Sequence, residues 1–504
     1  MSSRRYQKTL DRHQVMVLPP TVDEYVSQNN MVRSIDIYID TLDIMELGFG
    51  NTQPVTGPGQ PAYDPAALIK LYLYGYIQGI RSSRKLEHET LRNLEVIWLI
   101  KGLQPSYRTI ADFRKNNTDA LKAVNREFIL LCKQLSLFGG KEVAVDGSFF
   151  SANASKGSIY TEEKLEKQIK SLDKKIADYQ EAISKQDADD DKEGKGSLSE
   201  DEHLTEKLEI LQEKLSKKKA MQNKLQDGEG KQLSTVDEDA RLLSKRGQSV
   251  AGYNVQIAVD SKHHLIVAEE VTNDGNDTKQ LAPMLENAQE VLQPEDLVGL
   301  ADSGYYDGNQ IKACEEQNIT VYVAIPDKSK KIAEEGRFTR EQFQYDAEKN
   351  CYICPQGNIL NQSGCPIQKN DKERIRYTSK ASDCKNCPLR EKCLTKKAKI
   401  RQVSRWKHED IVERHKARME KNPDAMKKRA AIVEHPFGTL KHRAGMNHFL
   451  MRGLEKCRGE FSLMTLAYNF SRVLKILGKD FIQDYCVQRS ICIEMREIPP
   501  FLQK

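Results

Sequence analysis

The sequence predicts a mixed α/β protein with an all-α N-terminal domain and two insertions, on three observations. Apolar residues recur at helical spacing between residues 22 and 135, the period changes to two from residue 141, and six of the 11 cysteines crowd into residues 351 to 393. With 504 residues the chain exceeds what one hydrophobic core usually serves, so several domains or large insertions are expected. The net charge of +5, from 78 basic and 73 acidic residues, is too mild to identify a polyanionic partner by itself. The basic N-terminus "MSSRRYQKTLDRHQ" is followed by no apolar h-region, and the chain holds no run of 18 apolar residues. No membrane span is therefore expected, and a cytoplasmic location is.

The elements follow in chain order. "DPAALIKLYLYGYIQGI" carries apolar residues at helical spacing after an Asp64-Pro65 start, and "SYRTIADFRKN" reads as a cap followed by a short basic helix. Arg81, Arg84, Arg108 and Arg114 of this segment would face phosphates in a helix-turn-helix-like module; the plainer reading is a bundle with a solvated basic face. "KEVAVDGSFF", "GYNVQIAVD" and "HHLIVAEEVT" read as three strands, neighbours in an antiparallel arrangement. "DTKQLAPMLENAQEVL" then reads as a helix, "DLVGLADSGYY" as a buried strand, "NQIKACEEQN" as a helix and "TVYVAIP" as a strand.

Two insertions interrupt this core. Leu165, Ile169, Leu172, Ile176, Tyr179 and Ile183 form a heptad seam, repeated by Leu204, Leu208, Leu211 and Leu215, with a polar, mobile tip between. This pattern predicts an antiparallel coiled-coil hairpin. In the other insertion, Cys351 and Cys354 make one C-x-x-C pair and Cys384 and Cys387 another, with Cys365 between and Cys393 beyond. Four thiolates suit a tetrahedral structural Zn²⁺, but which four stays open, and reduced structural cysteines are the plainer alternative. The expected boundaries are a helical N-terminal domain at 1–137, a core at 138–160, 236–345 and 401–480, the hairpin at 161–235, the cysteine-rich insertion at 346–400 and a tail at 481–504.

Asp146 interrupts the apolar run around Val143, Ala144, Val145, Phe149 and Phe150, where a lone carboxylate is costly to bury. Asp302 stands in the same setting, at the end of an apolar strand and just before a glycine. Side by side, two such carboxylates repel each other unless cations occupy the gap, and Mg²⁺ suits oxygen ligands of this kind. Two cations need a third acid. Glu434, in "KKRAAIVEHPFGTLKHRAG", offers one, with Lys441 seven residues on and so on the same helix face. Pro436 is expected to kink that helix. Taken alone, an acid in so charged a helix is ordinarily solvated. Asp260, Asp274 and Asp277 sit in turn-like or cap-like contexts and read as structural.

The ordered set "VAVDGSFFSANASK", "AGYNVQIAVDSKHHLIVAEEVTNDGNDTKQLAPM", "LADSGYYDG" and "IVEHPFGTLKHRAGMNHFLMRGLEKCRGEFSLMTLAYNFSRVL" resembles the DDE transposases of bacterial insertion sequences. The likeness is to the branch with an all-helical N-terminal domain and a cysteine-rich insertion. It implies an RNase H-like catalytic core in which Asp146, Asp302 and Glu434 are the three acids, holding two Mg²⁺ or Mn²⁺ ions. The family's signature places a tyrosine, an arginine, the glutamate and then a lysine. Lys441 fits the last place, Arg429 lies one residue farther from the glutamate than is common, and Met426 stands where the tyrosine is expected.

The implied activity is binding of terminal inverted repeats, metal-dependent cleavage and strand transfer on double-stranded DNA. A homodimer is expected in the synaptic complex, and a nucleoid-associated location with it. Arg429, Lys441, Arg443, Arg452 and Lys456 are expected to hold phosphates, with an affinity that falls steeply with salt. The competing expectations are a silent DNA-binding repressor derived from a transposase and a nuclease that cuts without joining.

Overall fold

The structure, a computed structural model, describes residues 21–50, 62–193, 198–227, 232–245, 247–326, 334–369 and 371–497. The N-terminal basic stretch and the centre of the polar tip, residues 194–197, lie outside them. No described helix is long and apolar enough to cross a membrane. The chain divides into two compact units.

One unit joins residues up to Phe128 with Thr439–Met446 and Glu455–Lys504. Its helices start where local chemistry directs. Asn30 accepts from the Val32 N–H, and Asp64 accepts from the Ala66 N–H with Pro65 at the first helical position. The helix Leu454–Leu477 is buried at every position from Gly459 to Phe470, the polar Glu460, Ser462, Thr465 and Asn469 included. Its Phe470 packs with Tyr38 and Phe128, ring centroids 5.4–5.7 Å away. That burial explains a difference from the expected division: residues from Glu455 onward belong with the N-terminal helices, although the sequence pattern placed 455–480 in the core. The tail is also helical, as Lys479–Glu497.

The basic residues of this unit are not all available to phosphates. Arg81 Nη2 lies 2.9 Å from Glu460 Oε1, and Arg114 Nη1 lies 3.9 Å from the same atom, all three side chains being buried. Burying a guanidinium requires a paired carboxylate, and Glu460 supplies it to both. Arg84 and Arg108 instead lie over the Tyr107 ring, at 5.1 and 5.9 Å.

The other unit holds Ile129–Gly438 and Asn447–Leu454. Its strands in chain order are β1 (Glu142–Ser151), β2 (Ile159–Thr161), β3 (Gln232–Ser234), β4 (Arg241–Lys245), β5 (Gln248–Asp260), β6 (Ile266–Thr272), β7 (Leu297–Ala301) and β8 (Ile319–Val323). The main sheet runs β4-β5-β1-β7-β8, with β6 also on β5. β5 is antiparallel to β1, β4 and β6, whereas β7 is parallel to β1 and β8 is parallel to β7. The parallel connections need crossovers, which the helices Leu281–Leu292 and Gly308–Glu316 provide. Val143, Val145, Leu285, Leu297, Ile311 and Val321 belong to the core they enclose.

Both insertions leave this unit as separate structures. The helices Glu162–Glu193 and Leu198–Asp227 pack along one another, with the seam positions Leu165, Ile169 and Ile176 buried, and the β2–β3 ladder closes their base. The cysteine-rich segment builds a second sheet from β9 (Gln344–Asp346), β10 (Cys351–Ile353), β11 (Ile359–Gln362), β12 (Ile367–Lys369), β13 (Lys372–Thr378) and β14 (Gln402–Trp406). It extends past the expected boundaries at both ends because β9 and β14 pair with strands inside them.

Candidate active site

Strand register brings the two aspartates together. Ala144 pairs in parallel with Leu300, so Asp146 and Asp302, each two residues further on, emerge at the same edge and share the parity of that pair. Asp302 follows the last residue of β7 and caps the next turn, its Oδ1 accepting from the Gly304 N–H at 2.7 Å. The helix Ala425–Gly438 packs across β1 and β7 and delivers Arg429. Arg429 Nη2 lies 2.5 Å from Asp146 Oδ1 and 3.8 Å from Asp302 Oδ2. Two adjacent carboxylates repel, and a shared guanidinium relieves that repulsion.

A layer of buried polar groups lies beneath this pair. Asp277 Oδ1 accepts from Asn254 Nδ2 and Gln256 Nε2, each at 2.8 Å, and the Tyr305 hydroxyl donates to Gln256 Oε1. Burial raises the Tyr305 pKa, and the charges of Asp277, Asp146 and Asp302 push it the same way, so the phenol remains a neutral donor. These groups press on the backbone next to Asp146. A Cβ on Gly147 would stand 2.4 Å from Gln256 Nε2, 2.8 Å from Asp277 Oδ1 and 2.9 Å from the Tyr305 hydroxyl, so only glycine fits. Asp277, expected from its cap-like context to be structural, accepts from two amide side chains at the site itself, and the surrounding "TNDGNDTK" says nothing of where the loop lands. Asp260 is structural elsewhere, accepting from the N–H groups of Gly139, Gly140 and Lys262.

Glu434 lies on the same helix as Arg429 but is not brought to the pair. It stands exposed, with no hydrogen-bond or ion-pair partner among the described residues, while Ile432, Val433, Pro436 and Phe437 are buried around it. The helix continues through Pro436 and then widens, the Ala444 N–H donating to the Thr439 carbonyl five residues back. Lys441 and Arg443 lie in this widened turn. Arg452 donates from Nε to the Asn153 carbonyl at 3.2 Å, and Lys456 is half-buried on the helix Leu454–Leu477.

A second cluster forms in the cysteine-rich sheet. Cys354, Cys384, Cys387 and Cys393 line one cavity of about 20 Å³ together with Arg390 and Arg401. Burial raises the Cys393 pKa; Arg401 opposes the rise, and Cys384, Cys354 and Cys387 add to it. Cys351 does not line the cavity and lies buried in β10, while Cys365 is exposed. Among the described residues, no group of three or more His, Cys, Asp or Glu side chains is already arranged to hold a metal ion.

Comparison with known proteins agrees with the two ends of this description. Residues 353–474 match the family described as a transposase DDE domain, and residues 20–116 match a transposase domain, DUF772. None of the curated proteins matches. Among solved structures the chain is similar to the piggyBac transposase synaptic complex with hairpin DNA, at 9% identity over 94% of this chain and 80% of that one. Its TM-score of 0.31 is too low to bear on the fold. The two family matches, one over the helical N-terminal segment and one over the stretch that holds Arg429 and Glu434, indicate a DDE transposase of an insertion sequence.

Proposed function

We propose that this chain binds the ends of its own element, cleaves them and joins them to target DNA, using Asp146 and Asp302 as the paired catalytic acids and Glu434 as the third. The observation that carries this reading is the placement of Asp146, in the middle of β1, beside Asp302, just past the end of the neighbouring β7, under one guanidinium. A sheet ordered β6-β5-β1-β7-β8, antiparallel on one side of β1 and parallel on the other, supports an RNase H-like reading of the core.

The donor set fits divalent Mg²⁺ or Mn²⁺: it offers hard carboxylate oxygens, and it already draws a cation, the Arg429 guanidinium, to the gap between them. Asp146 and Asp302 would hold the ions, with Glu434 joining them from the helix that carries Arg429. When bound, such ions lower the pKa of an attacking water or 3′-hydroxyl and stabilise the leaving oxygen. The chain's own residues orient the reacting groups. Asp277, Gln256 and Tyr305 hold the backbone on which the two aspartates stand, and Arg429 is the nearest cation to a phosphate brought to them. Lys441, Arg443, Arg452 and Lys456 add positive charge for the DNA backbone, and the helical N-terminal segment is assigned to end recognition.

The test is a plasmid carrying the gene with its flanking DNA, incubated with purified protein and Mg²⁺ or Mn²⁺ beside Asp146→Ala. End-specific nicks and joined products that vanish in the variant are expected. Cleavage without joined products would point to a nuclease, and specific binding of the flanks without cleavage to a silent repressor.

A further inference from the structure

We propose that Cys354, Cys384, Cys387 and Cys393, and neither Cys351 nor Cys365, form a structural zinc site that ties the segment between β13 and β14 to the second sheet. The proposal is independent of the transposition chemistry.

The geometry separates the six cysteines. Side chains alternate along a strand, so Cys351 and Tyr352 in β10 point to opposite faces, and Cys354 shares the parity of Tyr352. Tyr352 is in the small core of this sheet, and Cys354 and Cys393 pack against that core. Cys354 opens a tight turn: the Gly357 N–H donates to its carbonyl at 2.8 Å and its own N–H donates to the Asn358 carbonyl at 2.9 Å, with Gly357 at φ +84°. Cys384 and Cys387 form the second C-x-x-C turn, after which the Arg390 N–H donates back to the Cys387 carbonyl. Cys393 ends the short helix that follows. The four residues reach the cavity from two turns and one helix end, the pattern of a closed Cys₄ site.

The cavity is suited to one ion. About 20 Å³ accommodates a single water-sized occupant. Zn²⁺ with four thiolates keeps a double negative charge, and two arginines line the same cavity. Arg390 Nη1 also donates to the Cys384 carbonyl and Arg401 Nη1 to the Cys393 carbonyl, both at 2.9 Å, which fixes these guanidinium groups beside the thiols. The thiols line the cavity without yet standing at coordination spacing, so the ion would draw them inward.

The segment also needs such a tie. Its two helices, Ala381–Lys385 and Arg390–Cys393, are 5 and 4 residues long, far below the length at which a helix is stable by itself. Among the described residues, the core beneath them has five buried members, Phe343, Tyr352, Leu360, Tyr377 and Val403. A core that small is ordinarily supplemented by a metal or disulfides, and these cysteines are all free.

The full chain, purified without chelator, is expected to carry one zinc per chain by elemental mass spectrometry. Single substitutions Cys354→Ser, Cys384→Ser, Cys387→Ser and Cys393→Ser should remove it, and Cys365→Ser should not. Because a ligand variant can fail to fold, the unaltered protein gives the second measurement: thiol alkylation with and without a strong chelator, mapped by peptide mass. Cys354, Cys384, Cys387 and Cys393 should become labelled only after chelation, and Cys365 in both cases. Absence of stoichiometric zinc, protection of Cys351 in place of any of the four, or labelling of the four unchanged by the chelator would each overturn the proposal.

Discussion

Asp146 and Gly147 show how much of the site depends on single atoms. Asp146→Ala or Asp302→Ala is expected to lower cleavage by more than about a thousandfold, the equivalent of the several kcal/mol a correctly held cation supplies, while end binding measured by gel shift persists. Gly147→Ala places a methyl carbon 2.4 Å from Gln256 Nε2 and should destabilise the unit by about 1–3 kcal/mol in urea unfolding, the usual cost of overpacking. A Gly147→Ala variant as stable as the parent would show that the Asp277 layer yields easily. The two aspartates were legible in the sequence because an acid in an apolar strand is costly and rare there. Their polar support was not, since Asn254, Gln256, Asp277 and Tyr305 come from three separate elements that only the sheet register assembles.

Element by element, periodicity gave the strands and helices, but it could not decide what their faces meet. Arg81 and Arg114 carry the same charge as surface arginines in the sequence, yet both are committed to Glu460, more than 340 residues along the chain. Removing one partner of a buried ion pair leaves a charge without compensation, so Glu460→Gln should cost about 3–5 kcal/mol in denaturant unfolding. A loss below about 1 kcal/mol would contradict that burial.

The helix Glu409–Lys421 offers a pH test. His415 is fully buried on it, its Nε2 2.9 Å from the Val323 carbonyl, and burial lowers its pKa, with Arg418 pushing the same way. A depressed imidazole pKa means that the unfolded chain binds the proton first. The stability contribution is therefore fully present above the ordinary value of about 6.5, falls as pH drops below it and levels off beneath the folded-state value. The slope of unfolding free energy against pH between about 5 and 7 should flatten in His415→Gln, and an unchanged slope would rule out this residue as its source.

For the molecule as a whole, the order of elements was more legible than their partition. The change of period at residue 141 marks the first strand of the sheet-bearing unit, which begins at Glu142, and the heptad seam marks its helical insertion. Nothing local, however, shows that the chain from Glu455 onward returns to the N-terminal helices, because the carboxylate that binds it there, Glu460, reads in the sequence like any other helical glutamate. Glu434 is the site residue whose role rests most on resemblance: the aspartate pair and Arg429 are together, and Glu434 stands apart on the exposed side of its helix. If the basic residues hold DNA phosphates, affinity for the element ends should fall linearly in log Kd against log salt, and each lysine or arginine removed should lower that slope by about 0.9.

The most direct test of the central claim, that Asp146 and Asp302 hold the catalytic cation, is cleavage of end-bearing DNA by Asp302→Cys in Mg²⁺ and in Mn²⁺. A thiolate is a poor ligand for hard Mg²⁺ and a better one for softer Mn²⁺. The expected enzyme is inactive in Mg²⁺ and substantially restored in Mn²⁺. Equal loss in both metals, or full activity in Mg²⁺, would contradict that claim.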